Sequence, residues 1–495
     1  MTEKRGEIFP KKTALTIFVL GVLMAALPYL PGKKLGGLQT HQLVSMLSLR
    51  LNFPGASFGG TEVVKVAVSP AAAGAPVKTP SRPTEPPKTL SYLNAPAGSL
   101  RTFFDALQRV EQRQPGAIAR VLHYGDSPTS HDYITADVRA LLGRRFGDGG
   151  HGFVLIAKPW AWYAHRGIEL DADGWQIEPA SSNPNRATDG VHGLGGVSFR
   201  GWRGAFSRVR LPDDKHTAAT VYYLAQPDGG VFFLRAAEQT LAVVDTAGAD
   251  KRPEFAEVAL PPGTSEVELT VASGPVRLFG YRFDKDGPGI QYSSLGINGA
   301  RVQMIVAFFE LSQWTDALRH ENPDLVVLNY GTNESVFPDY VDREYSGELR
   351  KVISRLRAAL PNASILIMSP MDRGVKGSDG AISTPEVLPR LIEVQRQVAS
   401  ETGCAFFNTF EAMGGEGTMA LWYSSTPRLV SADYMHPMPA GATKVGALFE
   451  QALVSAYESR SGRLREANEP PGPGKPTDAR PVPSPASFSE AKPSQ

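Results

Sequence analysis

The chain has 495 residues, enough for a large core and more than one domain. Its 51 lysines and arginines balance 50 aspartates and glutamates, and a formal charge of +1 gives no footing for a nucleic acid or an acidic partner. One cysteine, Cys404, excludes an internal disulfide, and no Cys/His cluster has zinc spacing, so no metal is expected.

In chain order, Lys4, Arg5, Lys11 and Lys12 precede an uncharged run from Thr13 to Gly32, with Lys33 and Lys34 behind it. About twenty apolar residues span a bilayer as a helix, and the basic flank favours a cytoplasmic N-terminus. Ala25-Ala26-Leu27-Pro28 is a poor small-x-small cleavage site, which favours an uncleaved anchor over a signal peptide. Residues 1–34 therefore read as a cytoplasmic tail and transmembrane signal anchor in the inner membrane, with the body exported. Residues 35–97, rich in Pro and Ala, read as a stalk that cannot bury a core.

Ala119–Tyr124 has the apolar run of a strand, and Ile134–Phe146 has helical spacing. From about residue 166 the rhythm changes. Ala218–Leu224, Gly230–Leu234, Leu241–Val244, Glu266–Val271 and Pro275–Phe283 are strand-like and separated by turn signals. Residues 166–285 are expected to form a β-sandwich or jelly roll inserted into an α/β domain. Alternation resumes afterwards: strands at 324–330, 364–368 and 405–407, and helices at 341–360, 385–402 and 440–457. The expected fold is α/β, with a parallel sheet covered on both faces in three layers, split into residues 98–165 and 286–458. Residues 459–495, with seven prolines from Pro470 to Pro485, read as a disordered tail.

Gly125-Asp126-Ser127-Pro128 ends the first strand of the α/β domain, where such folds place their sites. Ser127 alone reads more readily as a helix cap than as a nucleophile. Asp433-Tyr434-Met435-His436 offers an acid three residues before a base, which can fix the imidazole tautomer. Gly299 lies in a loop after a strand, where a backbone N–H can face an anion; Gly296 is the alternative donor. Asn333, in Gly331-Thr332-Asn333-Glu334, follows another strand and has an amide suited to an oxyanion.

These four blocks in this order resemble the SGNH (GDSL-type) hydrolase family. The resemblance implies an SGNH-type three-layer sheet and a serine esterase that needs no cofactor. Ser127 is then the nucleophile, His436 its base and Asp433 the base's partner. The Ser127 N–H, Gly299 and Asn333 hold the oxyanion. Pro128 departs from the family's usual residue but leaves the Ser127 N–H intact. The insert after the first unit, and the run Arg145-Phe146-Gly147-Asp148-Gly149-Gly150-His151-Gly152-Phe153, are similar to bacterial peptidoglycan and polysaccharide O-acetylesterases, whose β-domain resembles a carbohydrate-binding module. That likeness implies an O-acetylated glycan as substrate and a periplasmic or extracellular location. Trp160, Trp162 and Tyr163, with Trp202, are candidates for stacking on sugar rings, against the commoner fate of packing between domains. A glycan O-acetyltransferase using the same triad and a non-catalytic glycan-binding protein are the rival functions.

Overall fold

The computed structural model describes residues 92–181 and 185–468. The anchor, nearly all of the stalk and most of the tail lie outside them. Among the described residues no helix is long and apolar enough to cross a membrane.

Six strands form the central sheet, in the order Leu93–Asn94, Ala405–Phe407, Ser364–Met368, Leu325–Asn329, Ile118–Gly125 and Gly289–Gly296. The last five are parallel, and the Leu93–Asn94 strand is antiparallel at the edge, docking a piece of the expected stalk onto Phe406 and Phe407. The parallel strands are buried along most of their length because both faces are covered. Val121, Leu325 and Val327 face one helical layer that includes the long final helix Pro439–Asn468. Leu122, Tyr124, Val326 and Leu328 face the other, with Trp314, Val352, Ile353 and Leu391.

The chain leaves the Ile118–Gly125 strand, pairs on one side as Gly289–Gly296, then crosses to the other side as Leu325–Asn329. That reversal is a topological switch point, and a crevice opens at the carboxyl ends of the strands there. The register aligns the ends: Gly125 lies opposite Gly296 on one side and Asn329 on the other. The loops that follow these three residues therefore emerge side by side.

Two glycines allow the first of those loops to fold tightly over the sheet. A Cβ on Gly296 would lie 2.2 Å from the Ser130 backbone nitrogen, and one on Gly125 would lie 2.1 Å from Thr129 Oγ1. The Gly296 clash is with backbone and cannot be relieved by a rotamer. Gly296→Ala is expected to lower stability by about 3 kcal/mol, the upper end of ordinary overpacking. A fall in the urea midpoint at unchanged m-value checks it.

The β-rich segment is one bent, antiparallel, nine-stranded sheet. The long strand Val197–Arg210 pairs with Val276–Leu278 through its first half and with Glu266–Thr270 through its second, so it carries the chain around the bend. This sheet starts earlier than residue 166, because Gly152–Val154 pairs with Tyr281–Phe283. It is also no separate tethered module. Its core is continuous with one layer of the α/β domain: Trp314 Nε1 donates to Tyr124 Oη (3.1 Å), which donates to the Leu194 carbonyl (3.1 Å).

Two further differences from the sequence reading concern helices. The expected 341–360 helix is two, Pro338–Arg343 and Tyr345–Ala359, and the final helix runs past Tyr457 to Asn468.

Candidate active site

Ser127 follows the Ile118–Gly125 strand at the first position of a one-turn helix, Ser127–Ser130. Asp126, not Ser127, occupies the cap position, and Pro128 comes second, where its missing N–H costs nothing. At the first position the Ser127 N–H has no partner within its own helix. The turn is locked from below: Ser294 Oγ donates to the Thr129 carbonyl (3.0 Å) and Ser130 Oγ to the Ser127 carbonyl (2.9 Å).

His436 comes from the loop before the final helix. Its Nε2 is 2.7 Å from Ser127 Oγ and its Nδ1 is 2.6 Å from Asp433 Oδ2. Asp433 Oδ1 accepts the backbone N–H groups of Met435 and His436, each at 3.0 Å, and the Ser431 hydroxyl. The loop closes on itself through Ser431 N–H to the His436 carbonyl (2.8 Å). Acid, base and hydroxyl thus form one continuous hydrogen-bonded chain, able to move a proton from Ser127 to an imidazole of fixed tautomer.

The electrostatics agree with that order. Burial opposes ionisation of Asp433, but hydrogen bonds from His436, Ser431 and two backbone amides outweigh it and hold the carboxyl well below its ordinary range. Burial would lower His436; the hydrogen bond and charge of Asp433, with the charge of Asp126, raise it above 6.5 instead. Removing Asp433 is therefore expected to act in two ways. In Asp433→Ala, kcat should fall on the order of 10³-fold, less than for a fully buried acid because water can reach the half-exposed position. The acid limb of the kcat/KM profile should move to lower pH, since the group that raises His436 is gone.

Gly299 and Asn333 lie in loops that follow the two strands flanking the Ile118–Gly125 strand. Gly299 is exposed at φ +71°, in a turn three residues before the helix Gln303–Phe308 rather than at its first turn. Asn333 Nδ2 donates to the carbonyl of Ala300, the residue after Gly299, at 2.9 Å. That bond uses one of the amide's two hydrogens and leaves the other for a ligand. Gly296 is buried against the nucleophile turn, so its place is explained by packing, and Gly299 is the better-placed donor of the two.

The aromatic candidates separate. Tyr163 is 8% exposed and packed in the core with Trp160 against it, so Tyr163 presents no face for a sugar to stack on. Trp162 is 52% exposed. Its segment borders the nucleophile turn: Leu155, Tyr163 and His165 line a cavity of about 10 Å³ with Ser130 and Gly296. Trp202 is exposed on the bent strand of the β-rich sheet. Cys404 is buried, its sulfur within 3.3 Å of Thr402 Oγ1. Among the described residues no group of three or more His, Cys, Asp or Glu could hold a metal ion.

Three residues at the site carried no role in the sequence reading. His131 holds the Ser127 carbonyl (2.7 Å from Nδ1), with its ring 5.9 Å from that of His436. Asp126 is buried beside Thr332, and burial pushes its carboxyl up to about 7. Glu334 is buried next to Asn333. Each is within four residues of a motif residue, which was the available signal.

The model of the GDSL-like lipase/acylhydrolase family matches residues 264–444. This range holds Gly299, Asn333, Asp433 and His436 but begins after Ser127, which the β-rich segment separates from the rest. A solved peptidoglycan O-acetylesterase structure matches at 24% identity and TM-score 0.63, over 74% of this chain and 99% of that one. That share exceeds the α/β domain alone, so the likeness in fold extends into the β-rich segment. A carbohydrate esterase family 2 enzyme with its carbohydrate-binding domain, from Corynascus thermopiles (Myceliophthora fergusii), matches at 14% identity and TM-score 0.27, over 58% of this chain and 99% of that one. Among curated proteins, none matches the chain. The family match over residues 264–444 and the shared fold together support a GDSL-like hydrolase family for the α/β part of the chain.

Proposed function

We propose that this protein is an exported serine esterase that removes O-acetyl groups from a cell-wall or extracellular glycan. The hydrogen-bonded chain Ser127–His436–Asp433 at the switch point is the observation that carries the reading. Ser127 Oγ attacks the ester carbonyl while its proton passes to His436 Nε2. The oxyanion is held by the N–H groups of Ser127 and Gly299 and by the Asn333 amide. As the tetrahedral intermediate collapses, the bond to the sugar oxygen breaks and His436 gives that oxygen its proton, releasing the sugar hydroxyl. Water, deprotonated by His436, releases acetate from the acetyl-enzyme.

The substrate class is supported by the O-acetylesterase neighbour, whose fold this chain shares across both its α/β and β-rich parts. Export is supported by the basic-flanked apolar run from Thr13 to Gly32, which would anchor the chain in the inner membrane with its catalytic body outside. Contact between Trp162 and a sugar ring is supported by its exposure, on a segment whose neighbours Tyr163 and His165 line a cavity with Ser130.

Acetate release from O-acetylated peptidoglycan and from p-nitrophenyl acetate, measured side by side, tests this. Release from both supports the cell-wall ester. Release from the small ester alone keeps the esterase and moves the substrate to another glycan. Release from neither removes the reading.

A further inference from the structure

Two loops supply the proposed oxyanion donors other than the Ser127 N–H, and each needs a reason to hold still. One runs from Ile297 to Val302 with Gly299 exposed in it; the other is the turn from Gly331 to Glu334. The Asn333–Ala300 bond ties them once. A second tie lies beneath it: Glu334 Oε1 accepts the Val302 N–H at 2.7 Å. Glu334 has no exposed surface, and its Oε2 has no hydrogen-bond partner. A carboxyl is buried in this way only at a cost, so the bond it makes is the place to look for a return. Val302 caps the helix Gln303–Phe308, so the bond fixes the far end of the Gly299 turn while Asn333 fixes its middle.

We propose that Glu334 is the positioning residue of the oxyanion hole, its buried carboxyl clamping the Gly299 loop onto the Asn333 turn. The proposal rests on the serine-esterase reading and deepens it.

The clamp must be neutral to serve. Asp126 faces Glu334 from the nucleophile turn, Arg301 from the Gly299 loop, Tyr330 from the strand end, and Tyr340 and Tyr345 from the two following helices. Burial, with the charge of Asp126, pushes Glu334 up to about 8 against the Val302 N–H and Arg301. Below that pH the carboxyl is uncharged. Above it, a buried anion stands behind the point where the oxyanion forms, and like charges disfavour each other there.

The test is p-nitrophenyl acetate hydrolysis by the full chain and its Glu334→Ala, Glu334→Gln and Ser127→Ala variants, with kcat, KM, pH profile and melting temperature for each. Glu334→Ala is expected to lose kcat about 100-fold, as for a lost oxyanion donor, with KM within about threefold. Glu334→Gln keeps an acceptor for Val302 and cannot ionise. It should hold kcat within about threefold at pH 7 and stay active at pH 9, where the wild type declines. A folded Glu334→Ala with wild-type kcat, or a Glu334→Gln profile superimposable on the wild type, overturns the proposal. If Glu334→Ala does not fold, the Gln profile alone decides. Ser127→Ala with undiminished hydrolysis sinks the esterase reading and this one with it; Ser127→Ala inactive beside an unaffected Glu334→Ala sinks only the clamp.

Discussion

Ser127→Ala is expected to lower kcat on p-nitrophenyl acetate by about 10⁴- to 10⁶-fold while leaving the melting temperature nearly unchanged. The two halves of that expectation come from different contacts. The hydroxyl bonds His436 Nε2, and without it no acyl-enzyme can form. The turn itself is held by backbone and by other side chains: Ser130 Oγ and His131 Nδ1 meet the Ser127 carbonyl, which alanine retains. The deleted hydroxyl leaves no buried orphan, because the His436 side chain is 31% exposed and can turn to water. Activity and melting temperature measured on one preparation separate the roles. A fall in both would mark Ser127 as the helix-stabilising residue that its local sequence alone favoured.

That double reading of Ser127 shows what the sequence could and could not carry. The α/β strands Leu325–Asn329 and Ser364–Met368 were legible because both faces are buried: each is a short apolar run with a single polar residue at one end, Asn329 or Ser364. The blocks of Ser127, Gly299 and Asn333 were legible because each follows a strand of this sheet, and the parallel register then brings their loops together; Asp433 and His436 come instead from the loop before the final helix. The strands Glu169–Pro179 and Val197–Arg210 were not legible. The first begins with Glu169 and Asp171, the second ends with Arg208 and Arg210, and their outer faces are wet. What aligns them is across the ladder, where Arg208 meets Glu268 (2.8 Å) and Arg210 meets Glu266 (2.9 Å) and Glu169 (3.1 Å). Such pairs join residues tens of positions apart, and no local period announces them. Tyr163 failed for a related reason. In Trp160-Ala161-Trp162-Tyr163 the chain makes a turn, so one aromatic points inward and another out, and only the fold decides which. Glu334 was hidden because a carboxylate beside a motif asparagine reads as a solvated surface residue until its burial is seen.

His436→Ala is expected to cost kcat as much as Ser127→Ala does, on the order of 10⁴-fold or more, since either loss stops the same proton transfer. The distinguishing measurement is its pH dependence. In the wild type, kcat/KM should climb with pH through the raised His436 pKa, above 6.5, because the imidazole must be neutral to accept the Ser127 proton. In His436→Ala that limb should vanish, and the residual rate should follow hydroxide alone. Stability should run the other way. His436 titrates higher in the folded protein than when unfolded, so its contribution is full below 6.5 and fades as pH rises through the folded value. Asp433 titrates lower when folded, so its contribution is present above 3.8 and fades as pH falls. The pair therefore supports the fold most between about pH 4 and 6.5, where the base is protonated and idle. At half-exposed Asp433 the effect is small, about 1 kcal/mol or less. His436→Ala should accordingly lower the urea midpoint at pH 5.5 and barely move it at pH 8.5. An equal loss at both would mean that His436 packs the loop rather than pairing with Asp433. Wild-type activity that does not fall on the acid side would mean that some other group accepts the proton from Ser127.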